Sequence, residues 1–399
     1  MKKLPAPLRE SKLIFNYQFL IFIECSNVSL IHLLKIGNCK LIISFMEYLQ
    51  NFKKLLDTVV KENASDLLIS VGHAPNIRIT GQLIPLSKES IITPKDAEGY
   101  AFAIMQEAQK KRFLEQKEID FGYQFEDKGR FRVNVFFQRG NISIALRYIQ
   151  LEIRTIEELN IPPVLHEFVS RPQGLVLMTG ATGQGKTTTL AALIDEINHT
   201  RSVHVITIED PIEYTYQPGR AIIDQREVSL DTLSFANALR ATFRQNPDVI
   251  MVGEMRDLET ISTAITAAET GHLVFATLHT NSASETIHRI VDVFPAEQQN
   301  QIRFQLASVL LGIVSQRLVP RIKGGFIPVC EVMIANTATG SLIRENKIHE
   351  IPAVIETSAK EGMISMNRYL ADLARKKEIT LKSAIDFSPN PSEVKNLLR

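Results

Sequence analysis

The sequence is short of cysteine, of unbalanced charge and of long apolar runs. Its three cysteines, Cys25, Cys39 and Cys330, have no paired metal-ligand spacing and make no disulfide framework, so a reducing compartment is the simplest setting. With 45 basic and 44 acidic residues the formal net charge is +1. That balance gives no overall pull toward nucleic acid or anionic membrane, although a local patch stays open. Residues 13–23 and 25–34 are uncharged and apolar-rich, but Glu24 and the polar Asn16, Gln18 and Asn27 break them. They are short of the ~20 apolar residues that a membrane span needs. Lys2, Lys3, Arg9 and Lys12 precede this stretch as in a signal peptide, but no small-residue cleavage pattern follows. Nuclear and lipidation signals are absent as well.

What is present is ordinary globular composition, 45% hydrophobic and 22% charged, in a chain of 399 residues, long enough for two domains. The character changes at Met46. From there Met46, Leu49, Phe52, Leu55, Leu56, Val59 and Val60 fall on one helical face. Residues 1–45 therefore read as an extension, either a gene-start artefact or a short membrane- or partner-binding tail. Residues 46–150 read as a small α+β domain. It has a strand at 66–70, a hairpin-like pair around Thr80 and Gly81, a helix-rich stretch at 94–116, and three strands. The alternation of Phe121, Tyr123, Phe125, then Phe131, Val133, Val135, Phe137, then Ile142, Ile144, Leu146, Tyr148 marks those strands. Residues 151–163, ending in Asn160, Ile161, Pro162 and Pro163, look like a linker, since consecutive prolines resist helix and central strand. Beyond it, apolar β-branched runs at 175–178, 203–208, 249–252 and 273–278 alternate with helical stretches at 186–198, 232–244, 258–270 and 283–291. Ser282 with Glu285 gives a capping signature for the last helix, and Gly271 a C-cap for the third. That order predicts a doubly wound α/β core over 164–399. From Pro295 on, the chain reads as a largely helical tail with one strand at 327–334.

The run Gly180, Ala181, Thr182, Gly183, Gln184, Gly185, Lys186, Thr187 is a complete phosphate-loop motif, fed by a strand and followed by a helix. Glycines let successive backbone N–H groups turn inward, and the helix N-terminus adds positive potential. Lys186 suits the β- and γ-phosphates and the Thr187 hydroxyl suits Mg²⁺. ATP and Mg²⁺ are the ligands this implies. A chance glycine-rich turn would not bring both strand and helix with it.

Two acidic groups end neighbouring strands. Glycine 253 stands where a metal-binding Asp is usual, so Glu254 is assigned that role through a metal-bound water. Glu209, Asp210 and Glu213 end the strand before. In an open α/β sheet these ends line the ligand crevice. Glu213 and Glu254 are the candidates for activating water, whereas Glu209 and Asp210 are as readily structural, and Asp257 and Glu259 can simply favour a helix start. His279, at the carboxyl end of the 273–278 strand, suits a contact to the γ-phosphate. His272, at its start, could equally complement a helix dipole. Their spacing fits no zinc pattern.

Together these stretches resemble the secretion ATPase superfamily and, within it, the PilT-like type IV pilus retraction motors. Four boxes carry the match: residues 180–188, running through Thr188; the Asp box Ile208, Glu209, Asp210, Pro211, Ile212, Glu213, Tyr214; the atypical Walker B at 247–257; and the His box at 270–281. The resemblance covers 46–399. It implies a PAS-like N-terminal domain, a RecA-like ATPase core and a ring of six subunits. It also implies that Glu213 is the catalytic glutamate, Glu254 supports Mg²⁺, and Arg132, Arg147, Arg240 and Arg244 match family arginines, the first two reaching nucleotide from the N-terminal domain. On residue type alone the four arginines read equally well as solvated surface charges. The implied partners are further copies of the chain, an inner-membrane platform protein and, indirectly, pilin, with the motor cytoplasmic and held peripherally at the membrane; no nucleic acid is expected. Pilus extension and type II secretion relatives usually carry a tetracysteine zinc motif, which one cysteine after Met46 cannot build. The retraction signature is half kept: Ala338, Thr339, Gly340, Ser341 replace the usual Ala-Ile-Arg-Asn ahead of Leu342, Ile343, Arg344, Glu345. That departure admits a PilU-like accessory motor as the alternative, and a pilus assembly or type II secretion ATPase is the other. A RecA-like nucleic-acid motor and a nucleotide-gated module with negligible hydrolysis are the rivals outside the family.

Overall fold

The first helix among the described residues, α1 (Cys39–Lys61), begins ahead of Met46 and buries Leu49, Phe52, Leu55, Leu56 and Val59 on one side. The computed structural model describes residues 39–79, 81–149 and 152–399; the expected extension up to residue 38 and the turn residue Thr80 lie outside the described residues. Two compact units, Met1–Ile149 and Gln150–Arg399, divide the chain.

In the N-terminal unit, β1 (Asp66–Ser70), β2 (Asn76–Ile79) and β3 (Gln82–Pro85) join β4 (Glu118–Phe125), β5 (Gly129–Gln138) and β6 (Asn141–Ile149). The antiparallel order is β3-β2-β1-β6-β5-β4. The alternating aromatics expected to face a core do so: Phe121, Phe125, Phe131, Val133 and Val135 are buried with the apolar face of α1. The helix-rich stretch is two helices, α2 (Pro94–Ile104) and α3 (Glu107–Gln116). A reciprocal Thr93–Asp96 capping box starts α2, and Lys117 in the left-handed region, φ 70°, ends α3. This is the α+β arrangement read from the sequence.

In the C-terminal unit, β7 (Gly174–Thr179), β8 (His204–Glu209), β10 (Val249–Val252) and β11 (Leu273–Leu278) are parallel and buried along their length apart from the half-exposed His204. With β9 (Ile222–Glu227), β12 (Leu310–Pro320) and β13 (Phe326–Ile334), the sheet order is β13-β12-β7-β11-β10-β8-β9. Successive residues of β7 serve opposite faces. Leu175 and Leu177 pack with α7 (Leu258–Glu269), α8 (Ala283–Asp292) and α9 (Ala296–Val309), while Val176 and Met178 pack against α5 (Lys186–Thr200). Helices on both faces of a parallel sheet make the doubly wound α/β core expected from the sequence. Among the described residues no helix is long and apolar enough to cross a membrane.

Three local features depart from the sequence reading or add to it. The stretch after Pro295 opens with the expected helix, α9, but then holds two strands rather than one: β12 (Leu310–Pro320) runs parallel to β7 and antiparallel to β13 (Phe326–Ile334). Its apolar run fits helix or strand by pattern alone. Pairing with β7 and β13 makes it a strand, and Gly312 packs closely there: a Cβ would lie 2.5 Å from the Phe168 ring. An edge strand, β9 (Ile222–Glu227), was hidden by its polar sequence. Finally, the linker is not free-standing. Ile156, Leu159 and Ile161 are buried in the C-terminal unit, and the Tyr369 hydroxyl donates to Asn160 O at 2.9 Å.

Candidate nucleotide site

The phosphate loop turns out of β7 with Gly180, Gly183 and Gly185 at φ 140°, 79° and 79°, values that disfavour any side chain. The space at Gly180 is closed as well, because a Cβ there would lie 2.4 Å from Gln316 O on β12. At Gly183 a Cβ would meet nothing within 4 Å. Lys186, the first residue of α5, is buried, and its Nζ donates to the carbonyls of Gly180 at 2.6 Å and Ala181 at 3.0 Å. Burial holds its ammonium below the usual lysine range, partly opposed by the carboxylates of Glu254 and Glu213. Behind the loop, Gln316 is a buried brace. Its Nε2 donates to Gln184 O at 2.8 Å and its Oε1 accepts from Thr189 Oγ1 at 2.8 Å. The Gln184 side chain points the same way and accepts the Leu318 N–H at 2.6 Å. Gln184 thus anchors the loop to β12.

Because β8, β10 and β11 run parallel to β7, their carboxyl ends share the edge from which the loop emerges. Glu254 follows β10 and is largely buried, and the Arg256 guanidinium grips it, with Nη2 donating to Oε2 at 2.7 Å. Desolvation alone would raise this carboxyl, but Arg256, His279 and Lys186 outweigh it and keep it below the usual carboxylate range. His279, following β11, lies 3.0 Å by Nε2 from Glu254 Oε1 and 3.5 Å by Nδ1 from Thr182 Oγ1. It therefore connects the acid to the crest of the loop. Thr188 Oγ1 lies 3.0 Å from the Tyr214 hydroxyl, tying the Asp box to α5. Glu213 is half-buried and close enough to bias Lys186 electrostatically. Glu209 is buried, accepts from Thr207 Oγ1 at 2.7 Å and Gln225 Nε2 at 3.0 Å, and burial pushes its carboxyl up to about 7.

Gly180, Ala181, Thr182, Gly183, Gln184, Gly185, Lys186, Thr187, Thr188, Glu213, Glu254 and His279 are thus gathered at one sheet edge. His272 is not among them. It precedes the first residue of β11, at the opposite end of the sheet, where its Nδ1 lies 2.9 Å from Ala267 O. Position at the helix end decides between its two readings within this subunit: it lies on the carbonyls that α7 leaves unpaired, with Thr270 as C-cap and Gly271 at φ 104°. Arg240 and Arg244 also miss this edge. They belong to the end of α6 (Phe235–Thr242), which leads into the start of β10, and Arg240 pairs with Glu259 at 2.6 Å. Asp257 is an N-cap, accepting the Thr260 N–H at 2.9 Å. Of the capping pair before α8, Ser282 accepts from the Glu285 N–H at 3.2 Å, whereas Glu285 accepts from Asn281. In the N-terminal unit Arg132 and Arg147 are direct cross-strand partners on β5 and β6. Asp66 accepts from Arg147 at 3.2 Å and Asp120 lies 3.9 Å from Arg132.

Sequence reading missed Arg256, Gln316, Gln225 and Glu227. Arg256 is two residues from a recognised acid, so spacing could have flagged it. The other three lie on β9 and β12, the strands that composition concealed. The residue types fit a nucleotide with Mg²⁺: a loop whose positive φ values require glycine, a lysine held on carbonyl oxygens, and oxygen ligands at Thr187 and Glu254.

Comparison with known proteins gives concordant results. The family model described as Type II/IV secretion system protein matches residues 46–366. The chain is similar to the type IV pilus retraction ATPase PilT of Pseudomonas aeruginosa, 43% identical over 85% of this chain and 98% of the relative. It is also similar to the type IV pilus ATPase PilU of the same organism, 39% identical over 87% of this chain and 91% of the relative. Among solved structures, the pilus retraction motor PilT with bound ADP superposes with a TM-score of 0.81 at 46% identity, covering 86% of this chain and 98% of that one.

Proposed function

The chain belongs to the Type II/IV secretion system protein family, and from that premise we propose that it is an ATP-hydrolysing motor that powers type IV pilus retraction. One observation carries the reading: a full phosphate loop faces the ends of β8, β10 and β11, whose acids and histidine converge on it, in a chain that matches a retraction ATPase over nearly its whole length.

The chemistry is divided among this chain's own residues. Lys186 exchanges the Gly180 and Ala181 carbonyls for the β- and γ-phosphates of ATP, and the loop amides orient the triphosphate. Glu213 orients a water and takes its proton as the oxygen attacks the γ-phosphorus. The bond to the bridging oxygen breaks and ADP leaves. Thr187 and Glu254 would hold Mg²⁺, which supplies charge neutralisation along the phosphates. His279, between Glu254 and Thr182, links the loop crest to the acid and so senses whether the γ-phosphate is present.

Assembly into a ring of six gives roles to the arginines that match the family's and to His272. Arg132 and Arg147 are the cations offered to nucleotide by the N-terminal unit, and Arg240, Arg244 and His272 act across subunit boundaries. A cation that arrives only on closure couples transition-state charge to motion. Force would pass to an inner-membrane platform protein and from it to pilin, with the motor at the cytoplasmic side and peripheral to the membrane. A PilU-like accessory role is the second reading, favoured by the half-kept signature at 338–345 and the 39% identity to PilU. Deletion of the gene tests the proposal: cells should be hyperpiliated and unable to twitch. Loss of pili would contradict retraction, and normal retraction force in the deletion strain would contradict a primary motor.

A further inference from the structure

The Asp box is held in place by side chains to which the mechanism above gives no role. β8 and β9 pair in parallel with Glu209 opposite Glu227, which places the two carboxyls side by side on one face. Both are buried, at 5% and 3% exposure, where acids are rarely found. Their hydrogen bonds explain the placement. The Ile212 N–H donates to Glu227 Oε2 at 3.1 Å. The backbone of Glu213 is hydrogen-bonded to the Glu209 carboxyl. Gln225, two residues before Glu227 on β9, donates its Nε2 both to Glu209 Oε1 at 3.0 Å and to Tyr214 O at 2.8 Å. Three successive residues of the Asp box, 212, 213 and 214, are therefore each fixed by a side chain from β8 or β9. Glu227 is itself set by its N–H donating to Asp231 Oδ2 at 2.8 Å.

We propose that Glu209, Gln225 and Glu227 form a buried clamp that positions Glu213 against the phosphate loop, making them positioning residues for hydrolysis. The inference rests on the reading of Glu213 as the group that activates water. Its physical basis is that a base displaced by a fraction of an ångström loses its aim at the attacking water, and the backbone of a loop stays fixed only when its polar groups are tied to rigid elements. Here the ties come from strands, and their acceptors are desolvated, so each bond is stronger than a surface equivalent. The raised carboxyl of Glu209, at about 7, agrees with a crowded acid whose surroundings tolerate the neutral form. The Tyr214 hydroxyl at Thr188 completes the link from the clamp to the helix that carries Lys186 and Thr187.

The test is single-turnover ATP hydrolysis, with nucleotide affinity and melting temperature measured on the same preparations of the full chain. Glu209→Leu and Glu227→Leu should slow the chemical step by roughly 10- to 100-fold while the dissociation constant for ATP stays within about threefold, since the loop itself is untouched. Glu209→Gln, which keeps one acceptor oxygen, should lose less than Glu209→Leu. If the leucine variants do not fold, Gln225→Ala, which releases the Tyr214 carbonyl, should show the same split between rate and affinity. Added to Glu213→Gln, any of these changes should cost little more, because their effect passes through Glu213. An undiminished rate in folded Glu209→Leu, or equal losses with and without Glu213→Gln, would overturn the clamp. Wild-type turnover by Glu213→Gln alone would instead remove the reading on which it rests.

Discussion

The imidazole of His279 stands 3.0 Å from the carboxylate of Glu254, with its other nitrogen turned to Thr182 at the crest of the phosphate loop. One side chain thus touches both the loop that binds phosphate and the acid assigned to Mg²⁺. Replacing His279 with Ala should slow turnover by about 10- to 100-fold with ATP affinity little changed, as for a group whose contact matters most in the transition state. Steady-state hydrolysis together with a nucleotide-binding titration checks this, and a purely affinity-based loss would contradict it.

Arg256 competes for the same acid. Its side chain is 78% exposed and grips Glu254, which must be free to serve a metal. A largely exposed ion pair is worth at most about 1 kcal/mol, a factor of about 5 in an equilibrium. Arg256→Ala should therefore lower the Mg²⁺ concentration for half-maximal hydrolysis by up to about fivefold. A higher requirement would mean that Arg256 helps to place the metal.

Gln316 was invisible as a functional residue in the sequence and is central in the structure. Gln316→Leu would leave the Gln184 carbonyl and the Thr189 hydroxyl without their partner. Each buried orphan costs about 1–3 kcal/mol. The variant should melt at a lower temperature and bind ATP about tenfold more weakly, as the loop loses its support from β12. Calorimetry and equilibrium binding read the two effects separately.

The buried Glu209 makes stability depend on pH. Its folded carboxyl sits at about 7 against an ordinary 4.5, so the folded protein holds this proton more tightly than the unfolded chain does. The associated stability is fully present below pH ~4.5 and is lost as pH rises through ~7, for a change of about 3 kcal/mol. Glu209→Gln cannot titrate. The stability of the wild type relative to this variant should fall by about that amount over the window, measured by denaturant unfolding at several pH values. A flat difference would contradict the buried, proton-holding state.

How much of this was legible beforehand differs by element. The motif at 180–187 and the parallel strands around it were read directly, because glycine geometry and doubly buried strands leave patterns that little else produces. Glu213, Glu254 and His279 followed from their position at strand ends. β9 and β12 did not follow: one is an edge strand with a polar sequence, the other an apolar run that fits helix as well as strand. With those strands went Gln225, Glu227 and Gln316, whose roles are tertiary and carry no local signature. His272 illustrates the converse. The sequence leaves it open between a site role and a helix-dipole role; six strand residues separate it from His279, and at ~3.3 Å per residue the two lie at opposite ends of the sheet.

The central claim is that Glu213 activates water for an ATP molecule held by the amides of 180–187 and by Lys186. Phosphate release in a single turnover, by wild type and by Glu213→Gln loaded with Mg·ATP, tests it most directly. The account predicts binding within a few-fold of wild type and release slowed by about 10²- to 10³-fold. Release by Glu213→Gln at the wild-type rate would contradict it.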